Sequence, residues 1–441
     1  MTKKIAGALA LASSVALLAG CASTTGGGDA DGNAVKIAAF EGGYGAEAYQ
    51  EVVAAYRADN PDVDIELTTS RTLADQLTPQ VAAGQYPDLV FLGLGAEEGF
   101  TESFVRDRSL EDLTSVLDET VPGEDVTVRD KLTEGVVGGL GTNPYGGDET
   151  YLMPMFASPT GLVYDSGLFD EKGWDVPTTW DELFTIADQA QAEGIALFTY
   201  PTTGYLDSYF FSLLATVGGE DFYEDVMTYE PDVWMSDEAT EALELTTRLF
   251  SYASPETVGF ANGQDFTKNQ QSVLENRTVF MPNGAWISNE MADAPRADGF
   301  SWAMAPVPAL EAGDERYLTT SIETAWIPAE AEHKDEAKRF LAYVYSDEAA
   351  DIFLEAGAVQ PIQGIEEGLT GDAQSFYSTY AQDDVTALVG AFAATESVPG
   401  VDLKAALFDT ASGVISGTTT MEQWQDEVNE ASNALTDHRT E

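Results

Sequence analysis

The chain has one cysteine and two histidines in 441 residues. A single thiol forms no internal disulfide, so no covalent staple holds the fold. His333 and His438 stand among charged or terminal residues, which argues against a histidine-dependent triad or a zinc centre. Basic residues are scarce, 20 Lys and Arg against 76 Asp and Glu, for a net charge of −56. Such a chain repels nucleic acid and anionic lipid headgroups. Its acids are scattered rather than blocked, so the excess reads as a solvated surface and speaks for solubility, not function. Neither common glycine-rich phosphate motif occurs, and there is no internal repeat. Past the N-terminus, no stretch is long and apolar enough to cross a membrane. Asp29, Asp31 and Asn33 hint at a calcium loop, but the glycine and closing glutamate of that loop are missing. No metal and no cofactor are expected.

The N-terminus itself carries a signal. Lys3 and Lys4 precede an apolar stretch over residues 5–18, too short for a stable anchor, and Leu18-Ala19-Gly20-Cys21 follows. The pattern looks like a bacterial lipobox. It predicts a signal peptide over residues 1–20, cleavage before Cys21 and lipid on that sulfur. Residues 21–34 then read as a flexible, polar, Gly-rich tether. The folded part is expected outside the cytoplasm, held by its lipid to the outer face of the cell membrane.

At 441 residues and 44% hydrophobic composition, the chain exceeds the ~250–300 residues at which one core usually splits. Residues 35–40 (VKIAAF), 63–68 and 87–92 read as strands, separated by amphipathic helices over 46–57 and 72–83. That β-α-β-α-β rhythm argues for a parallel sheet covered on both faces, with ligand loops at the carboxyl edge of the strands. The segment 151–183 organises the rest. An apolar strand is broken at Pro154, a short strand follows over 161–164, and a turn at Asp165–Gly167 leads to a helical turn ending at Gly173. A further helix opens at Thr178 or Thr179 before Trp180. Strands are expected at 195–198, 279–281 and 300–306. Tyr317–Ser321 and Ala325–Pro328 bracket a polar loop, and helices fill 335–345 and most of the tail.

The YD-LFDEKGW-P-TW-EL order in segment 151–183 resembles the family 1 solute-binding proteins of ABC sugar transporters. FMPNGAW at 280–286, the helix around DEAKRFLAYVYS and the closing MEQW helix agree with it, so the likeness runs from Val35 to about Leu435. It implies an α/β, two-lobed, periplasmic-binding-protein-like fold, each lobe a mostly parallel mixed sheet flanked by helices. The first lobe would hold residues 35–147 and 307–360, the second 148–306 and 361–441, with hinge crossings near 147–154 and 306–321. FEGGYG at 40–45 resembles the opening loop of binding proteins for N-acetylglucosamine and its oligosaccharides.

A sugar offers hydroxyls and apolar C–H faces, so its site needs aromatic planes together with carboxylates and amides. The candidates are Glu41 and Tyr44 beside flexible glycines, Gly93 after the third strand, and Asn283 and Trp286 after a second-lobe strand. To these the resemblance adds Glu323 on an interlobe return loop, and Tyr200, Tyr205 and Tyr209 facing the same cleft. Trp326 is included although it is more often core; Trp302 and Trp180 read as structural, and Gln360 as a lesser contact. The favoured function is a non-enzymatic, monomeric receptor that closes on an oligosaccharide, preferably one containing N-acetylglucosamine, and delivers it to an ABC permease. The alternatives are a receptor for a different oligosaccharide, a surface glycoside hydrolase on a related scaffold, and a structural adhesin.

Overall fold

A computed structural model describes residues 34–41, 45–94, 99–396 and 398–439. Nine strands form one connected sheet in the order β2-β1-β3-β8-β4-β6-β5, with β7 added to β4 and β9 to β8. β1 (Val35–Phe40), β2 (Ile65–Ser70) and β3 (Leu89–Phe91) are parallel and follow the expected βαβ rhythm. Their side chains alternate between two buried layers. Ile37, Ala39, Leu89 and Phe91 enter one apolar cluster; Ala38, Val90 and Leu92 enter another on the opposite face. Burial on both faces explains their near-continuous apolar runs.

The remaining strands repeat the principle. β5 (Ala196–Phe198) and β6 (Thr278–Gly284) are parallel, and β7 (Trp302–Ala305) splits its residues by parity. Trp302 and Met304 pack into one cluster while Ala303 and Ala305 pack into another. Four layers of core around two sheet regions make the two lobes.

Two long strands join them. β4 (Met153–Asp165) pairs antiparallel with β8 (Arg316–Trp326) from Met153 opposite Ala325 to Pro159 opposite Thr320. Past that point β4 pairs with β6 and β7, while the start of β8 pairs in parallel with β9 (Val385–Leu388). Both depart from expectation. The break at Pro154 does not occur, because the register shifts between Pro154 and Phe156, and a bulge tolerates a residue without an N–H. The polar loop expected between Ser321 and Ala325 is strand, because each of its residues from Ser321 to Thr324 has a partner on β4.

Helix starts followed local signals more closely. Thr179 caps the helix Trp180–Ala192 with a full capping box, its hydroxyl accepting from the Glu182 N–H while Glu182 reaches back. Gly173 ends the helix Ser166–Lys172 with φ 66°. No helix among the described residues is long and apolar enough to cross a membrane.

Candidate functional site

β4 and β8 form the floor of a cleft of about 690 Å³ that residues from both lobes line. This lies within the range of small-ligand sites, ~300–1,000 Å³. The floor is rich in hydroxyls: Thr160 comes from β4, and Thr319, Thr320, Ser321 and Thr324 from β8. Most of them are held in place. Thr160 donates to the Thr319 carbonyl at 2.8 Å, the hydroxyls of Thr319 and Ser212 are bonded, and Thr320 and Tyr380 share a bond of 2.9 Å.

One wall is aromatic. The ring centroids of Tyr205 and Trp286 lie 6.4 Å apart, inclined at 60°, and both rings line the cleft with Phe211 and Phe392. Trp286 precedes the short helix Ile287–Glu290, and Tyr205 sits in the 3-10 turn Thr203–Leu206. Burial raises the Tyr205 hydroxyl pKa, and the Glu290 charge adds to this while a hydrogen bond with Trp286 opposes it. Asp207 is half-buried on the same wall. Desolvation raises its carboxyl pKa against the hydrogen bond from Ser208 (3.2 Å) and the charge of Lys404. The opposite wall carries Leu94, Val105, Glu102 and Arg106. Although the chain as a whole is strongly acidic, Arg106 and Lys404 here stand against only Glu102 and Asp207.

Of the residues expected at the site, Tyr205 and Trp286 line the cleft. Glu323 lies next to it on β8 between two lining residues. It keeps solvent contact, yet surrounding protein desolvates its carboxyl and raises the pKa. Gly93 is not among the lining residues: a Cβ there would meet the Cα of Glu323 at 3.5 Å, an ordinary contact, and it is the next residue, Leu94, that lines the cleft. Glu41 is not among the lining residues and pairs with Arg71 at 3.2 Å. Tyr44 and Cys21 lie outside the described residues.

Four expectations are corrected by burial. Tyr200 and Tyr209 are fully enclosed in the second-lobe core, their hydroxyls bonded to Ser412 (3.0 Å) and to Thr246. Asn283 is fully buried inside β6 and pairs with Gly161 rather than lining the cleft. Trp326 is core, its indole N–H donating to the Leu92 carbonyl at 3.0 Å. Trp302 and Trp180 are buried as expected of structural residues, and Gln360 is buried with its amide donating to the Val344 carbonyl.

Some lining residues escaped the sequence reading. Gly204, Asp207, Ser208 and Phe211 recur at the three-to-four-residue spacing of one helical face, whereas Tyr209 lies about 200° round from Asp207. That periodicity was available. Thr320, Ile322 and Thr324 share one face of β8, a signal hidden while the segment is taken as a loop. Residues 389–392, 394 and 395, which also line the cleft, follow β9 without any local pattern.

A family model for bacterial extracellular solute-binding proteins matches residues 42–351. The diacetylchitobiose binding protein NgcE of Streptomyces coelicolor is 24% identical over 341 residues, covering 74% of this chain and 69% of that protein. The apo-form of RafE from Streptococcus pneumoniae is similar in structure with a TM-score of 0.70 at 20% identity, covering 92% of this chain and 98% of that one. A chitin oligosaccharide binding protein gives a TM-score of 0.62 at 16% identity, covering 92% and 100%.

Proposed function

The chain belongs to the bacterial extracellular solute-binding protein family, and we propose that it is the carbohydrate receptor of an ABC importer, capturing an oligosaccharide that contains N-acetylglucosamine. The observation that carries this reading is the pairing of the Tyr205–Trp286 aromatic wall with a hydroxyl-lined floor in one 690 Å³ cleft. Aromatic rings cover the C–H faces of a sugar, while hydroxyls and the Asp207 carboxylate take its hydroxyl groups. The choice of N-acetylglucosamine draws on the FEGGYG loop and on the likeness to a diacetylchitobiose binding protein.

Capture proceeds by closure about β4 and β8. A ligand that touches both walls only when the lobes approach shifts the population toward the closed state by its differential affinity. Lipid on Cys21 holds the receptor, a monomer, beside its permease at the outer face of the cell membrane.

Calorimetry against a panel of chito-, malto-, xylo- and arabino-oligosaccharides tests the specificity, with the products chromatographed after incubation. Micromolar or tighter binding of chito-oligosaccharides without cleavage is expected. Binding confined to the other sugars removes the N-acetylglucosamine assignment, and turnover removes the receptor.

A further inference from the structure

Thr324 is 2% exposed and lines the cleft, yet its hydroxyl has no hydrogen-bond partner among the described residues. Neighbouring floor hydroxyls on the same strand are satisfied, Thr319 by Ser212 and Thr320 by Tyr380. Alternate residues of a strand share a face, so Thr324 projects from the same side of β8 as Trp326. Trp326 anchors an apolar cluster there, onto which Leu94, Val105 and Ala394 pack, and these three also line the cleft. The result is an apolar patch beside one unmet hydroxyl, with Glu102 and Arg106 also lining that side of the cleft. Core groups such as the Trp234 and Trp302 indoles also lack partners, but Thr324 lines the cleft, where a ligand group can supply the missing bond.

We propose that this wall receives the acetamido group of an N-acetylated sugar residue, with Thr324 hydrogen-bonding the amide and Leu94, Val105 and Ala394 covering the methyl. An acetamido group has the required composition: a methyl, an N–H donor and a carbonyl acceptor held in one plane. A sugar hydroxyl in its place leaves the apolar wall uncovered, and a free amine brings a charge to be desolvated there. This inference rests on the N-acetylglucosamine reading above and assigns the part of the cleft that reads the 2-substituent.

The test uses calorimetry with N,N′-diacetylchitobiose and with cellobiose, which carries hydroxyls in place of both acetamido groups. Wild-type protein is expected to prefer diacetylchitobiose by at least tenfold. Thr324→Val, which keeps the shape and deletes the hydroxyl, should lose at least tenfold on diacetylchitobiose and clearly less on cellobiose. Thr324→Ser should retain the wild-type preference. Melting of Thr324→Val should match wild type or exceed it; if it falls, Thr324→Ala is judged with the same two sugars. Equal loss on both sugars, or no loss on diacetylchitobiose, overturns the assignment and leaves the receptor standing. A wild-type protein that binds neither sugar, or binds cellobiose equally well, overturns the N-acetylglucosamine reading and this inference together.

Discussion

The indole of Trp286 rests directly against Gly284: a Cβ on Gly284 would fall 2.1 Å from Cζ3 and 2.3 Å from Cη2 of the ring. Gly284 closes β6, so the sheet sets where the ring stands on the cleft wall. Replacing Trp286 by alanine should weaken oligosaccharide binding at least tenfold, ~1.4 kcal/mol, with little change in melting temperature. Gly284→Ala should cost a similar amount while keeping the tryptophan, because the ring is forced off its seat. Titration calorimetry with tryptophan fluorescence checks both. Wild-type affinity in either variant would mean that the ring does not touch the sugar.

The cleft also depends on a close approach between Gly141 and Val389. A Cβ on Gly141 would lie 2.2 Å from the Cγ1 of Val389, and both residues line the cleft. Gly141→Ala should therefore spread the two segments, lower affinity several-fold and enlarge the ligand-saturated protein in small-angle scattering. Adding Val389→Ala makes room for the methyl and should restore both measures. A double variant no better than the single one would refute steric opening as the cause.

Stability outside the cleft is separable from binding. Thr179→Ala removes the capping hydroxyl of the helix Trp180–Ala192 and should cost about 1 kcal/mol in urea denaturation, leaving ligand affinity untouched. A change in affinity with no change in stability would contradict the purely structural role given to this turn.

Arg316 ties the start of β8 to the entrance of β9. Its guanidinium, 5% exposed, donates Nε to Asp384 Oδ2 and Nη2 to Oδ1, each at 3.0 Å, and Nη2 also reaches Gln382. The hydrogen bonds from Arg316 hold the Asp384 carboxyl below its ordinary pKa. A depressed acid stabilises the folded state fully above its unfolded pKa, near ~4, and that contribution disappears as pH falls through the depressed value. The stability gap between wild type and Arg316→Gln should therefore be full at neutral pH and shrink below about pH 4. Denaturation curves at several pH values decide this; a gap independent of pH would show that the pair contributes nothing through charge.

What could be read along the chain was what neighbours in sequence enforce. β1 appeared with its observed bounds because six residues carry its pattern, and the Thr179 cap and the Gly173 stop are local hydrogen-bond and backbone effects. The two-lobed class followed from the rhythm of such elements and from a chain too long for one core. Trp286 was legible because its turn, Pro-Asn-Gly-Ala-Trp, is short and distinctive.

Sequence by itself thus determined the kinds of element, their order and two wall residues of the cleft, Tyr205 and Trp286. Tertiary structure alone decided that β4 continues through Pro154, that Thr324 faces the cleft from a strand rather than a loop, and that Tyr200 turns inward. The physical reason is the same in each case. A strand's register and a side chain's facing are fixed by partners more than a hundred residues away, and no local propensity records which partner that will be.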